Sequence, residues 1–277
     1  MSGAWIAPAL TSGLGNRLFQ HAAAQGLAEK DKRPVVFLAK RCKESPHGPI
    51  ASVFRMFPAT QLIESEEEFT ELKEVPRAHY IYSPLDAAQG PTVIHGFRQS
   101  PKYFPTDLKR LQPDWDSALG GPIVRRMIEK EAALTFHDQR KRTVSIHIRM
   151  GDYVKLAHHQ LELGTYLMHA LKKVPTGSRI HLFSDEPEKC AHYLNSYASA
   201  NVLEFTTALV RSDVESLYEM SLCLGGNITC NSTFSWWGAW YAHQMGSPWA
   251  TYPSSFGKGM PHPKDLFPDW GTVINVQ

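Results

Sequence analysis

From residue 143 onwards the chain alternates between short β-branched runs and longer amphipathic stretches. This alternation constrains the fold more than any other feature. Strands are expected at 143–149, 179–184, 201–205, 223–229 and 248–252, with helices between them at 162–173, 187–196, 213–221 and 232–244. A repeated strand–helix–strand order favours parallel strands joined by crossover helices, and hence a doubly wound α/β sheet. The amino-terminal half opens in the same way. Trp5–Leu10 reads as a strand, Asn16–Lys30 as a helix, and Pro34–Ala39 as a second strand. Leu18, Phe19, Ala22, Ala23 and Leu27 fall near helical spacing. Thr92–His95 reads as a further strand, and Ser65–Lys73 as a charged surface helix. Ser117–Phe136 reads as a long helix interrupted early by Gly120, Gly121 and Pro122. The 277 residues suit two domains, placed at 1–138 and 139–277.

With 43% hydrophobic and 20% charged residues, the composition is that of an ordinary globular protein. A net charge of +2 is too mild to argue for nucleic-acid or membrane binding. The four cysteines, Cys42, Cys190, Cys223 and Cys230, form no C-x-x-C pair and have no histidine at zinc-ligand spacing. Buried free thiols are expected of them. No apolar run approaches the roughly 20 residues of a membrane span. The amino terminus lacks a basic segment followed by an apolar one, so a cytoplasmic location is expected. Nothing in the sequence sets the oligomeric state.

Four segments carry candidate chemistry. In Thr143–Tyr153 a β-branched strand runs into His147, Arg149 and Asp152. His147 and Arg149 alternate with Ile146 and Ile148, so both point to one face. Ligands of open α/β sheets bind beyond the carboxyl ends of the strands. An arginine delivered there can meet a phosphate with a two-pronged donor fork. The alternative is a strand-end ion pair between Arg149 and Asp152. Gly13-Leu14-Gly15-Asn16 lies between a strand and a helix, where backbone N–H groups can face an anion. Leu18 replaces the third glycine of the dinucleotide fingerprint, which disfavours NAD. The alternative is a tight turn with Asn16 as the helix cap. Asn231-Ser232-Thr233 likewise precedes a helix, and capping and anion binding are both open there. Ser184-Asp185-Glu186 follows a strand, where a carboxylate suits guanine's donor pair and helix capping is the alternative. Trp236, Trp237 and Trp240 are expected in the core rather than on a sugar platform.

Taken together, Gly13-Leu14-Gly15-Asn16-Arg17-Leu18-Phe19-Gln20, His147-Ile148-Arg149-Met150-Gly151-Asp152 and Asn231 to Trp240 resemble the alpha-1,2-fucosyltransferases of glycosyltransferase family 11. Gly96 to Phe104 and Phe183-Ser184-Asp185-Glu186 resemble two further motifs of that family, in its order. The resemblance implies a GT-B fold, two Rossmann-like domains facing a cleft. Residues 1–138 would be the acceptor-side domain and 139–277 the GDP-sugar domain. It also implies an inverting transfer of L-fucose from GDP-fucose to a hydroxyl of an acceptor glycan, position 2 of a galactose-like residue. Arg149 would stabilise the departing diphosphate. From the residues themselves, Asp152 can orient Arg149, cap the following segment or take the acceptor proton, with His21 a weaker candidate base. Donor contacts would come from Gly13, Gly15, Asn16, His147, Arg149, Ser184, Asp185, Asn231, Ser232 and Thr233. No metal-ligand cluster stands out, so a metal-independent enzyme without a cofactor is expected. One position departs from the family pattern: Met150 stands where the family has a second arginine. It either packs or marks a lost donor. Two rival readings remain, a transferase of another GDP-sugar or linkage and a non-catalytic nucleotide-sugar or glycan-binding protein.

Overall fold

The computed structural model describes residues 4–86, 89–151, 162–195, 202–209 and 211–276. The chain forms two compact units. Met1–Pro122 with Lys264–Leu266 makes the first, and Ile123–Pro263 with Phe267–Gln277 the second.

The first unit runs β1 (Ile6–Pro8), α1 (Leu14–Asp31), β2 (Val36–Leu38), α2 (Ala51–Met56), β3 (Gln61–Ile63), β4 (Thr70–Leu72), β5 (Thr92–Ile94) and α3 (Trp115–Leu119). β1, β5 and β4 form one parallel sheet, and β2 pairs in parallel with β3. A parallel bridge from Ile6 to Val35 joins the two groups. The strand at 70–72 replaces the charged helix expected at Ser65–Lys73. Phe69 packs with Trp5, Ala7 and Val93, whereas Leu72 packs with Ile6, Ala24 and Ile94. Their division between two core clusters suits the alternating faces of a strand, so pairing with β5 overrides the local helical pattern. α1 begins at Leu14 with Gly13 in the cap position. Asn16 therefore lies inside the helix and is not its cap. Gly26 allows α1 to approach the Pro101–Tyr103 turn, because a Cβ there would sit 1.9 Å from the Tyr103 carbonyl oxygen.

The second unit contains α4 (Pro122–Thr135), whose first residue alone belongs to the first unit. The helix break falls at Gly120 and Gly121, with φ of 83° and 135°. α4 buries Ile128 and Ala132, and the Phe136 ring that follows meets His181 edge-on at 5.0 Å. The helix read from sequence as closing the first half thus packs into the second. After it come β6 (Thr143–Ile148), α5 (Leu163–Leu171), β7 (Ser178–Ser184), α6 (Pro187–Asn195) and β8 (Val202–Thr207). α7 (Asp213–Ser221), β9 (Gly226–Ile228), α8 (Thr233–Gln244), β10 (Ala250–Pro253) and β11 (Gly271–Ile274) complete it. The six strands pair in parallel in the order β11-β10-β9-β6-β7-β8. β11 has no counterpart among the expected strands.

Every residue of β6 is buried, as expected for a central strand covered on both faces. Val144, Ile146 and Ile148 join Ile180, Leu182 and Ile228 in the core. From β6 the chain builds towards β8 on one side, then returns to build β9, β10 and β11 on the other. The order therefore reverses between β6 and β9. At such a switch point, the carboxyl ends of the two strands leave a crevice. Among the described residues, no helix is long and apolar enough to cross a membrane.

Candidate active site

The carboxyl ends of β6, β7 and β9 bring together most of the second-unit residues singled out by sequence. His147, the penultimate residue of β6, is 7% exposed, and its Nδ1 lies 3.2 Å from the Sγ of Cys230, just beyond β9. Its ring centroid is 5.4 Å from that of Phe234 at the start of α8. Burial, reinforced by the Arg149 charge, pushes the imidazole down to about 4, so it is neutral at physiological pH. Burial also pushes the Cys230 thiol up to about 11, which keeps it protonated. This contact at the switch point is between two neutral groups.

Arg149 leaves the strand end with its side chain 35% exposed. Its Nε sits 3.3 Å from Oδ2 of Asp185, and the backbone N–H of Met150 donates to Oδ1 of the same carboxylate at 2.9 Å. Asp185 thus ties the end of β7 to the turn after β6. Gly151 permits this, since a Cβ there would fall 2.4 Å from Asp185 Oδ2. The tie was not apparent from sequence, where Asp152 was the expected ion-pair partner; Asp152 lies outside the described residues. Met150 packs against the core cluster of Ile146, Ile148 and Leu182. Ser184 supports the same turn, its Oγ accepting the Glu186 N–H at 3.0 Å and lying 3.1 Å from Cys190 Sγ.

Beyond β9, Asn231 is buried and donates through Nδ2 to the Phe256 carbonyl at 3.0 Å. Ser232 caps α8, its Oγ accepting the Phe234 N–H at 3.3 Å. Ser235 Oγ accepts the Cys230 N–H at 3.2 Å and donates to the Ser232 carbonyl at 3.0 Å. Thr233 opens the helix and is half-buried. These bonds fix the positive end of the 12-residue α8 beside the strand end that carries His147. Trp236, Trp237 and Trp240 are at most 1% exposed and are core.

Gly13, Gly15 and Asn16 belong to the first unit. Asn16 Nδ2 donates to Ser12 Oγ at 3.0 Å, and its Oδ1 accepts from Gln99 Nε2 at 2.6 Å. The adjacent Arg17 is fully buried and donates to the carbonyls of Gly48 and Lys43. His21 is fully buried between Phe37 and Phe57, and burial pushes it down to about 3. A group enclosed in this way is poorly placed to meet a substrate proton. Among the described residues, no three His, Cys, Asp or Glu side chains converge as a metal site would require.

The chain is 27% identical over 264 residues to an alpha-1,2-colitosyltransferase of Escherichia coli, covering 83% of this chain and 85% of that protein. Among solved structures it resembles NodZ alpha-1,6-fucosyltransferase of Bradyrhizobium co-crystallised with GDP. The identity is 14% and the TM-score 0.48, over 86% of this chain and 92% of that one. It also resembles a mutant of Arabidopsis thaliana FUT1 in complex with GDP, at 13% identity and TM-score 0.46, over 85% and 68% of the two chains. Residues 95–254, which include the strand ends described above, match glycosyl transferase family 11. That match spans more than half of the chain, and the protein belongs to glycosyl transferase family 11.

Proposed function

We propose that this glycosyltransferase moves L-fucose from GDP-fucose to a hydroxyl of an acceptor glycan, with inversion, at position 2 of a galactose-like residue. The observation that carries the reading is Arg149 at a switch point, two residues beyond His147, whose ring meets Phe234 at the start of α8. The guanidinium and the helix start both favour a diphosphate. In the reaction the acceptor oxygen bonds to the sugar's C1, the bond from C1 to the diphosphate oxygen breaks, and its electron pair leaves with GDP. The acceptor proton passes to a base, for which Asp152 is the candidate. The negative charge gathering on the diphosphate is where a held guanidinium and a helix-start dipole lower the barrier. Asp185 holds that guanidinium through Nε, a positioning role beside its proposed contact with guanine. His147, Ser184, Asn231, Ser232 and Thr233 complete the donor side, and Gly13, Gly15 and Asn16 contribute from the first unit. In this reading the two units are the Rossmann-like halves of a GT-B enzyme, the first on the acceptor side and the second holding GDP-fucose. No metal or cofactor takes part, and the enzyme acts in the cytoplasm.

A second donor is favoured by one finding, because the 27% identical relative is named for colitosyl transfer. Its alpha-1,2 designation supports the linkage while leaving the sugar open. The test incubates the protein with GDP-fucose or GDP-colitose, a β-galactoside and excess EDTA. GDP release is followed, and the product linkage is assigned by NMR. Fucosyl transfer to O2 in EDTA is the expected result. Transfer from GDP-colitose alone would establish the second donor, and GDP release that needs added Mn²⁺ would overturn metal independence.

A further inference from the structure

Beyond the carboxyl ends of β4 and β5, the first unit holds a pocket of about 400 Å³ lined by Lys73, Glu74, Arg77, His79, His95 and Phe97 among others. Its wall is built rather than incidental. Both Glu74 carboxylate oxygens are engaged, Oε2 by the Phe97 N–H at 3.0 Å and Oε1 by the Arg98 N–H at 2.8 Å. Gly96, at φ +93°, leaves room for this, because a Cβ there would lie 2.2 Å from the Glu74 Cβ. The Phe97 ring stands edge-on to His79 at 5.9 Å.

The charge balance at the mouth is positive. Lys73 is 75% exposed, and the nearest carboxylate paired with it, Glu71, is also engaged by Arg41 at 2.6 Å and His95 at 3.5 Å. Arg77 is exposed and sits in the left-handed region at φ 62°. Burial lowers both His79 and His95, so each is a neutral imidazole able to donate one N–H. Glu66–Glu68 lead into the amino end of β4, opposite the end that carries Lys73 and Glu74, whereas Glu64 follows the carboxyl end of β3. The lining thus offers the exposed Lys73 and Arg77 cations, the His79 imidazole as a neutral donor and an aromatic edge, with both oxygens of the Glu74 carboxylate turned to the Phe97 and Arg98 N–H groups.

We propose that this pocket is an acceptor subsite that takes an anionic sugar substituent, a carboxylate or a phosphate, of the acceptor glycan. The site deepens the fucosyl-transfer reading and rests on it for the word acceptor. Binding of an acidic sugar is independent of that reading.

The test is a backbone amide NMR titration of the full chain with methyl β-D-glucuronide, galactose 6-phosphate and neutral methyl β-D-galactoside. The two acidic arms tell a carboxylate site from a phosphate site. The amides of Gly96, Phe97 and Arg98 are expected to shift with at least one acidic sugar. The neutral sugar should bind at least ten-fold more weakly, and 0.5 M NaCl should weaken the acidic interaction. Lys73→Gln/Arg77→Gln, two exposed changes that leave the core intact, should raise Kd about ten-fold without lowering Tm. Equal binding of all three sugars, or unchanged Kd in the double variant, would overturn the subsite. Acidic-sugar binding without any transfer from a GDP-sugar would sink the functional reading while leaving the subsite standing. Fucosyl transfer with unshifted pocket amides would do the reverse.

Discussion

Arg149 is held before any donor arrives, because Asp185 engages its Nε and is itself fixed by the Met150 N–H. Preorganised charge is what stabilises a leaving group most effectively. Arg149→Ala is therefore expected to lower kcat/KM by about 10²-fold or more while Tm changes little, which steady-state assays and thermal melts would check. Arg149→Lys should recover little, since a point charge replaces a fork. Met150 packs on the core cluster, so Met150→Arg should cost about 1 kcal/mol of stability without raising kcat/KM. A gain in donor affinity would show instead that the position lacks a donor. The buried histidines set a pH dependence. Below about 6.5 the unfolded chain binds a proton that native His147 refuses until about 4. Stability should therefore fall as pH drops through that window, by about 2 kcal/mol between pH 7 and 5 for this residue. His21, held down to about 3, has the same sign. Urea melts at the two pH values should show the drop, and His147→Asn should reduce it. The strand-end position of His147 and Arg149 was legible in sequence through the alternation with Ile146 and Ile148. The Asp185 tie was not, because it joins residues 36 positions apart across a turn shaped by Gly151.

Elements whose identity is local were legible, and those defined by their partners were not. β6, β7 and α8 lie within a few residues of expectation because each carries its own hydrophobic period. β4 and β11, three and four residues long, are strands only through pairing with β5 and β10. Helix packing makes a contrast that can be measured. An alanine at Gly26 would place its Cβ 1.9 Å from a backbone oxygen, whereas one at Gly238 would meet the Met220 Sδ at the same distance. Backbone cannot easily move, while a methionine can re-rotamer. Gly26→Ala should therefore cost about 3 kcal/mol or more and Gly238→Ala about 1–2 kcal/mol, as chemical denaturation would show. Equal costs would mean that α7 and α8 are as rigidly seated as α1.

For the whole molecule, GDP should raise Tm and UDP should do so less, because a ligand specific to the native state stabilises it by mass action. Amide exchange should slow mainly at 145–150, 183–186 and 229–235, and equal shifts with both nucleotides would remove the guanine assignment. The domain boundary was the least legible feature, since α4 closes one period of sequence but packs with the next unit. Lys264–Leu266 is the other departure, a three-residue return to the first unit late in the chain. Asp265 accepts from Lys102 Nζ at 2.6 Å and the Tyr82 N–H at 2.8 Å, and its carbonyl accepts from Ser100 Oγ at 2.6 Å. Hydrogen bonding to Lys102 holds its carboxyl below the usual range. Its support is thus present above the ordinary aspartate range and lost as pH falls through the lowered one. Asp265→Ala in the full chain should lower Tm by several degrees. That late return also orders events during synthesis. At roughly 5–20 residues per second, about 7–30 s separate translation of Pro122 from that of Asp265. Throughout that interval the nascent amino-terminal unit carries Tyr82, Ser100 and Lys102 without Asp265, so the part of the chain made first waits for a much later segment before it can consolidate fully.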